Sequence, residues 1–268
     1  MDIFDQIPAI AQDNTLSIND KVAQIVALHQ SLDPYSDLAF RSSLPAYETV
    51  RQLLLNDNYE GCHTSDLIMC NSLLAEAYIR NRKSWLVAPL AQHTCDMLTG
   101  AIVDDEETIN MIVAAIDRMC DSLHNHPRLS MKLYALQYGF EKGRQEPVED
   151  TLKEAAEKII SLATLTACDT WYAPMKEEFV ALLGDATVRE IEDNPYTGHL
   201  KVDPVEYTEE FEKVIDAVDE EVDRRMGGEE YAMGMCFEIW STKKEILAEK
   251  YGIEWRTPSQ MNPRVMFD

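Results

Sequence analysis

YTEEFEKVIDAVDEEVDRRM, residues 207–226, decides the fold class. Phe211, Ile215, Val218 and Val222 fall on one side of an α-helix, because residues three and four apart share a face, while Glu212, Asp216, Asp219 and Asp223 lie largely away from that stripe. A half-buried strand would alternate with period two. Nothing in the chain does so, and no Asn-Gly or Asp-Gly hairpin signal occurs. The apolar stripe needs a partner helix. The opposite side is read as a solvated face, with a docking surface for a basic partner as the alternative: between Asp203 and Glu230 there are twelve acidic and three basic residues.

Working outward, the same periodicity places helices at about 37–56, 65–82, 85–98, 105–124, 128–142, 148–169, 174–183, 207–226 and 229–250. An earlier one opens at Ser17, whose pairing with Asp20 resembles a helix cap, and runs to a break at Asp33-Pro34. Pro127, Pro147 and Pro174 suit first-turn positions, where the missing N–H has no partner to lose. The fold class is therefore all-α: an irregular helical bundle or a short, solenoid-like stack of helical hairpins. LLAEAYI (73–79), IVAAIDR (112–118) and LKEAAEKI (152–159) share small residues at intervals near the length of a two-helix repeat. Turn chemistry gathers in DNPYTGHLKVDP, which divides a main helical region, 1–192, from an acidic helical pair and tail, 205–268, through the connection 193–204. One compact unit is expected from the three.

The chain ends in WRTPSQMNPRVMFD, residues 255–268, which is too apolar for a free tail. Arg256 and Arg264 complement the acidic 203–230 segment, Pro258 and Pro263 restrict the unfolded chain, and Trp255, Val265, Met266 and Phe267 offer surface to bury. An extended tail docked on the helices is expected. Trp240, Tyr251, Trp255, Arg256, Arg264 and Phe267 are the candidate partner-binding residues, with Met233, Met235, Met261 and Met266 lining an aromatic groove as the wider alternative.

The 268 residues carry a formal net charge of -24, which argues against nucleic acid and anionic lipid as partners, since both are bound through Lys and Arg. No apolar run approaches the length that spans a bilayer, and the first residues lack the basic and apolar regions of a leader. A cytoplasmic location is expected. Six widely spaced cysteines (62, 70, 95, 120, 168 and 236), none in a C-x-x-C pair, read as buried reduced thiols.

Signals for chemistry are sparse. Asp117, Asp121 and His124 would share one helical face and could hold a divalent metal, with His126, His93 or His63 as further ligands. The acidic DDEET, 104–108, suits a helix start, because carboxylates favour the positive end of the helix dipole. Tyr138 and Lys142 match the Y-x-x-x-K pair of short-chain dehydrogenases, without the glycine-rich phosphate loop that their cofactor requires. No G-x-S-x-G, P-loop or H-E-x-x-H is present. The expectation is a non-enzymatic protein-interaction or scaffold domain without a cofactor. Its partner would be a protein, for which the charge suggests a basic surface, and a homodimer is a further candidate assembly. A metal-dependent helical enzyme built on the Asp117, Asp121 and His124 face is the alternative.

Overall fold

The computed structural model describes residues 2–56, 64–227 and 234–267. Among them every regular element is a helix, as the periodicity requires. The chain forms two compact units: residues 1–122 with 139–145, and residues 123–138 with 146–268.

The first unit contains α1 (Ile3–Gln12), α2 (Ile18–Gln30), α3 (Asp37–Asn56), α4 (Thr64–Arg80), α5 (Val87–Leu98) and α6 (Glu106–Asp121). Chain neighbours pack on one another: α1 and α2 meet and both touch α3, α3 meets α4, and α4 touches both α5 and α6. Because α4 is covered from several sides it is buried around much of its circumference, including Asn71 and Ser72. Asn71 is satisfied there, accepting from Arg51 Nε at 2.9 Å and donating to Thr94 Oγ1 at 3.1 Å. Ile3, Ile7, Ile25, Val50, Leu54 and Leu67 lie in one core cluster, each worth roughly 1.5–3 kcal/mol when fully buried. That burial explains α1, which periodicity missed because Pro8 stands inside it. Proline costs a helix about 3 kcal/mol. Ile3 and Ile7, one turn apart, are both buried and offset that cost. Ser17 caps α2 as expected, its Oγ accepting from Asp20 N at 3.1 Å.

The second unit contains α7 (Pro127–Lys142) as far as Tyr138, then α8 (Glu149–Leu165), α9 (Asp169–Tyr172), α10 (Lys176–Leu183), α11 (Asp185–Asp193), α12 (Glu209–Arg225), α13 (Met235–Tyr251) and α14 (Pro258–Met261). Gly184 joins α10 to α11 at φ 88°, a backbone state that a side chain would strain. The turn-rich 193–204 stretch lies inside this unit rather than at its edge. Tyr196 N donates to Ser161 Oγ of α8 at 2.9 Å, and Asn262 of the tail exchanges hydrogen bonds with the backbone of Lys201 at 2.9 and 2.8 Å. The α12 stripe of Phe211, Ile215, Val218 and Val222 packs with Ile246 and Leu247 of α13 and with Trp255. At the end of α13, Gly252 at φ 67° turns the chain back, and Ile253 N donates to Leu247 O at 3.0 Å.

The Ala-rich segments supply the tight helix centres, with Ala75, Ala115 and Ala156 fully buried in α4, α6 and α8. The described cysteines are all free thiols, three of them buried; Cys62 lies outside the described residues. Burial pushes the Cys70 thiol up to about 12, so it stays protonated and donates to Tyr47 O at 3.4 Å.

Candidate functional site

The acidic side of α12 is not a bare solvated face. Its helix starts at Thr208, whose Oγ1 accepts from Phe211 N at 3.3 Å, and it presents Glu212, Asp216 and Asp219 at helical spacing. The segment leading into α7 clasps these three carboxylates: Asn125 Nδ2 donates to Asp219 at 3.1 Å, His126 Nε2 lies 2.9 Å from Asp216, and Arg128 donates to Glu212 at 3.0 Å. Arg128 also donates to Thr166 O at the end of α8, at 3.0 Å, and so ties α8 to α12. From α13, Lys243 pairs with Asp219 at 2.9 Å, and its ammonium lies 5.9 Å from the ring of Phe211 and 5.6 Å from that of Trp255. Much of the acidic surplus is thus spent inside the chain. His126-Pro127-Arg128 is the signal for this clasp that sequence reasoning passed over, having weighed His126 only as a metal ligand.

The tail docks just beyond it. Trp255 is buried and donates its indole N–H to Glu206 at 2.7 Å. Arg256 grips Asp203 through its backbone N at 2.7 Å and its guanidinium at 3.0 and 3.1 Å. Burial alone would raise the Asp203 carboxyl, but its hydrogen bonds from Arg256 and Val205 outweigh that and hold it below the usual range. At Glu206 burial prevails over the indole and Lys243, and the carboxyl is pushed up. Thr257 then caps α14 reciprocally with Gln260.

Beyond α14 the expectation of burial fails. Val265 is exposed and Met266 is 94% exposed, because the chain past Asn262 leaves the helices. Only Phe267 returns, edge-on to Trp240 with ring centroids 5.1 Å apart, and Phe237 meets the same indole at 5.4 Å. The candidate partner-binding residues therefore separate. Trp255 and Arg256 are internal anchors, Trp240 and Phe267 share an open aromatic cluster, and Tyr251 and Arg264 are exposed apart from any described aromatic contact. Phe237, not anticipated, completes that cluster. Of the methionines of the wider groove, Met233 lies outside the described residues and Met266 is exposed.

Asp117 and Asp121 are exposed on α6, but Ser122 caps that helix, so His124 stands in the following turn and does not continue the face. His93 lies beside Asn71, and His63 lies outside the described residues. Among the described residues no group of three or more His, Cys, Asp or Glu is arranged to hold a metal ion. Asp105 of the acidic run caps α6, accepting from Thr108 N at 2.7 Å. Tyr138 donates to Glu178 at 2.6 Å, and burial with that carboxylate raises its hydroxyl, the reverse of what a phenolate base needs.

No protein-family model, curated protein or solved structure matches this chain. Among the described residues no helix is long and apolar enough to cross a membrane.

Proposed function

We propose that the chain is a non-enzymatic protein-interaction or scaffold domain whose contact surface is the aromatic cluster at the end of the tail. The observation that supports this reading is the contrast within the tail. Its inner part is fixed by polar anchors, and beyond it Val265 and Met266 are exposed while Phe267 packs on Trp240, whose indole also meets the exposed Phe237. Adjacent exposed apolar groups are costly to keep in water, whereas aromatic residues and Met are the types that interface centres favour. The partner is a protein, and the net charge of -24 favours a basic rim around its apolar contact.

Native capture from source cells, compared between the wild-type chain and a Phe237→Ser/Met266→Ser variant of unchanged melting temperature, tests the reading. A protein retained by the wild type and lost by the variant supports it. Equal retention by both removes this cluster as the contact.

A further inference from the structure

A hollow of about 260 Å³ opens in the first unit among α2, α3 and α4. Leu32, Phe40, Tyr47 and Leu73 give it apolar walls, and its charged lining is confined to Glu76 and Arg80. His29 adds no charge at neutral pH: burial holds its pKa below the ordinary value, its Nδ1 lies 3.1 Å from Ser42 Oγ, and its ring meets Tyr47 edge-on at 5.2 Å. The rim is aromatic as well. Phe40, which lines it, is partly exposed.

The charged end is unusual for so acidic a protein. Glu76 is shared by two arginines, with Arg80 on Oε1 and Arg118 Nη1 3.6 Å from Oε2. One carboxylate cannot neutralise two guanidiniums. Arg118 and Asp121 line a second concavity across the Glu76–Arg80 pair, so Asp121 does not face the hollow. Arg118 draws on the Glu76 charge from that side and leaves Arg80 with attraction to spare. A guanidinium has five N–H donors, and one carboxylate oxygen leaves most of them available. Tyr47 supplies a further donor: burial raises its hydroxyl, which feels Glu76, Arg118 and Arg80 and stays protonated.

We infer that this hollow is a binding site for a small amphipathic monoanion, a carboxylic acid on a single-ring or branched-alkyl body. The carboxylate sits on Arg80 within reach of the Tyr47 hydroxyl, and the body packs against Phe40 and Leu73. The volume sets the size, since sites for drug-sized ligands run from roughly 300 to 1,000 Å³. An amine on Glu76 is the competing occupant, and the two arginines oppose it.

Calorimetric titration of the full chain with hydrocinnamate, hydrocinnamamide and phenylpropylamine, which share one body and differ in charge, tests the inference. Hydrocinnamate should bind saturably and about tenfold or more tighter than the amide, with the amine weakest, because only the anion makes charge-assisted bonds to Arg80. Arg80→Gln should weaken hydrocinnamate about tenfold or more, and Arg118→Gln by a smaller factor, because it returns the Glu76 charge to Arg80. Glu76→Gln should tighten it. That opposite sign separates loss of the site from loss of the fold. A missing response to hydrocinnamate, an amide that binds equally well, a preferred amine, or an Arg80→Gln variant of unchanged affinity would each overturn the assignment.

Discussion

Trp255 and Met266 belong to the same tail and are both large and apolar, yet the first is 4% exposed and the second 94%. Hydrophobicity does not distinguish them; the polar groups beside them do. Trp255 has a partly buried carboxylate waiting for its N–H, and the next residue grips Asp203 through backbone and side chain together. Asn262 closes this inner part by exchanging hydrogen bonds with Lys201. From Pro263 to Met266 no side chain makes a described hydrogen bond to the helices, and the chain departs from them. Directional anchors fix where an apolar residue can be buried, and packing then supplies the energy.

The comparison breaks most directly at Trp255. Replacing a large buried aromatic with alanine costs about 3–5 kcal/mol, and here it also leaves the partly buried Glu206 without its donor. Trp255→Ala should therefore show the largest loss in denaturant unfolding of any tail substitution. A loss under about 1 kcal/mol, the range of ordinary surface changes, would show that the inner tail is no better fixed than the outer.

The parts of this arrangement that were readable in sequence are those set by local spacing. The α12 stripe, the cap at Ser17 and the limits of α3 follow from periodicity and capping chemistry, which act within a few residues. The return of Arg256 to the acidic segment followed from opposite charge. What could not be read depends on distant pairing. Nothing near Glu212 shows that Arg128 will neutralise it, so the α12 carboxylates resembled a solvated face. The metal reading had a different weakness: it extended α6 to His124, two residues past the Ser122 cap. Val265 and Met266 were expected to follow Trp255 into the core because composition cannot tell an anchored residue from an unanchored one. The hollow beside Tyr47 involves three helices at once and leaves no sequence pattern.

The clasp on α12 offers the next largest effect, and it asks whether an anchor between helices acts like the anchor of the tail. Arg128→Ala removes the guanidinium from the mostly buried Glu212 and one donor from Thr166 O. Leaving such groups unsatisfied costs about 1–3 kcal/mol. Denaturant unfolding of this variant should show a loss between those of Trp255→Ala and of the exposed tail substitutions.

Acidification separates the two carboxylates that hold the inner tail, with smaller effects. Asp203 has a folded pKa below its ordinary value of about 4, so its stabilisation is fully present above about pH 4 and is lost as pH falls through the lower folded value. Glu206 has a raised folded pKa, so its charge opposes folding at neutral pH, and that penalty is relieved as pH falls through the raised value. The deficit of Asp203→Asn should accordingly stay level from neutral pH to about 4 and shrink only below it. The advantage of removing the charge with Glu206→Gln should already narrow above that point. Unfolding titrations at a series of pH values check both, and a deficit of Asp203→Asn that changes between about pH 5 and 7 contradicts the first.

The smallest effect is expected at the exposed end, and it is where stability and interaction should part. Val265 and Met266 are both exposed, so a Val265→Ser/Met266→Ser variant removes little buried surface. Surface substitutions of this kind usually stay within about 0.5 kcal/mol. Trp240, Phe237 and Phe267 keep their ring contacts, since neither altered side chain belongs to that aromatic trio. The variant should melt like the wild type while retaining less of the captured partner, because apolar area lost from an interface weakens binding without touching the fold. Trp255→Ala, by contrast, should lose both together, since it frees the segment that holds the cluster in place. If the exposed pair were instead buried against a second copy of the chain, the same serine variant would lower the melting temperature and shift the sedimentation of the wild type from dimer to monomer. Melting and sedimentation measured on the two variants side by side therefore decide whether the outer tail is held for a partner protein or is already paired with itself.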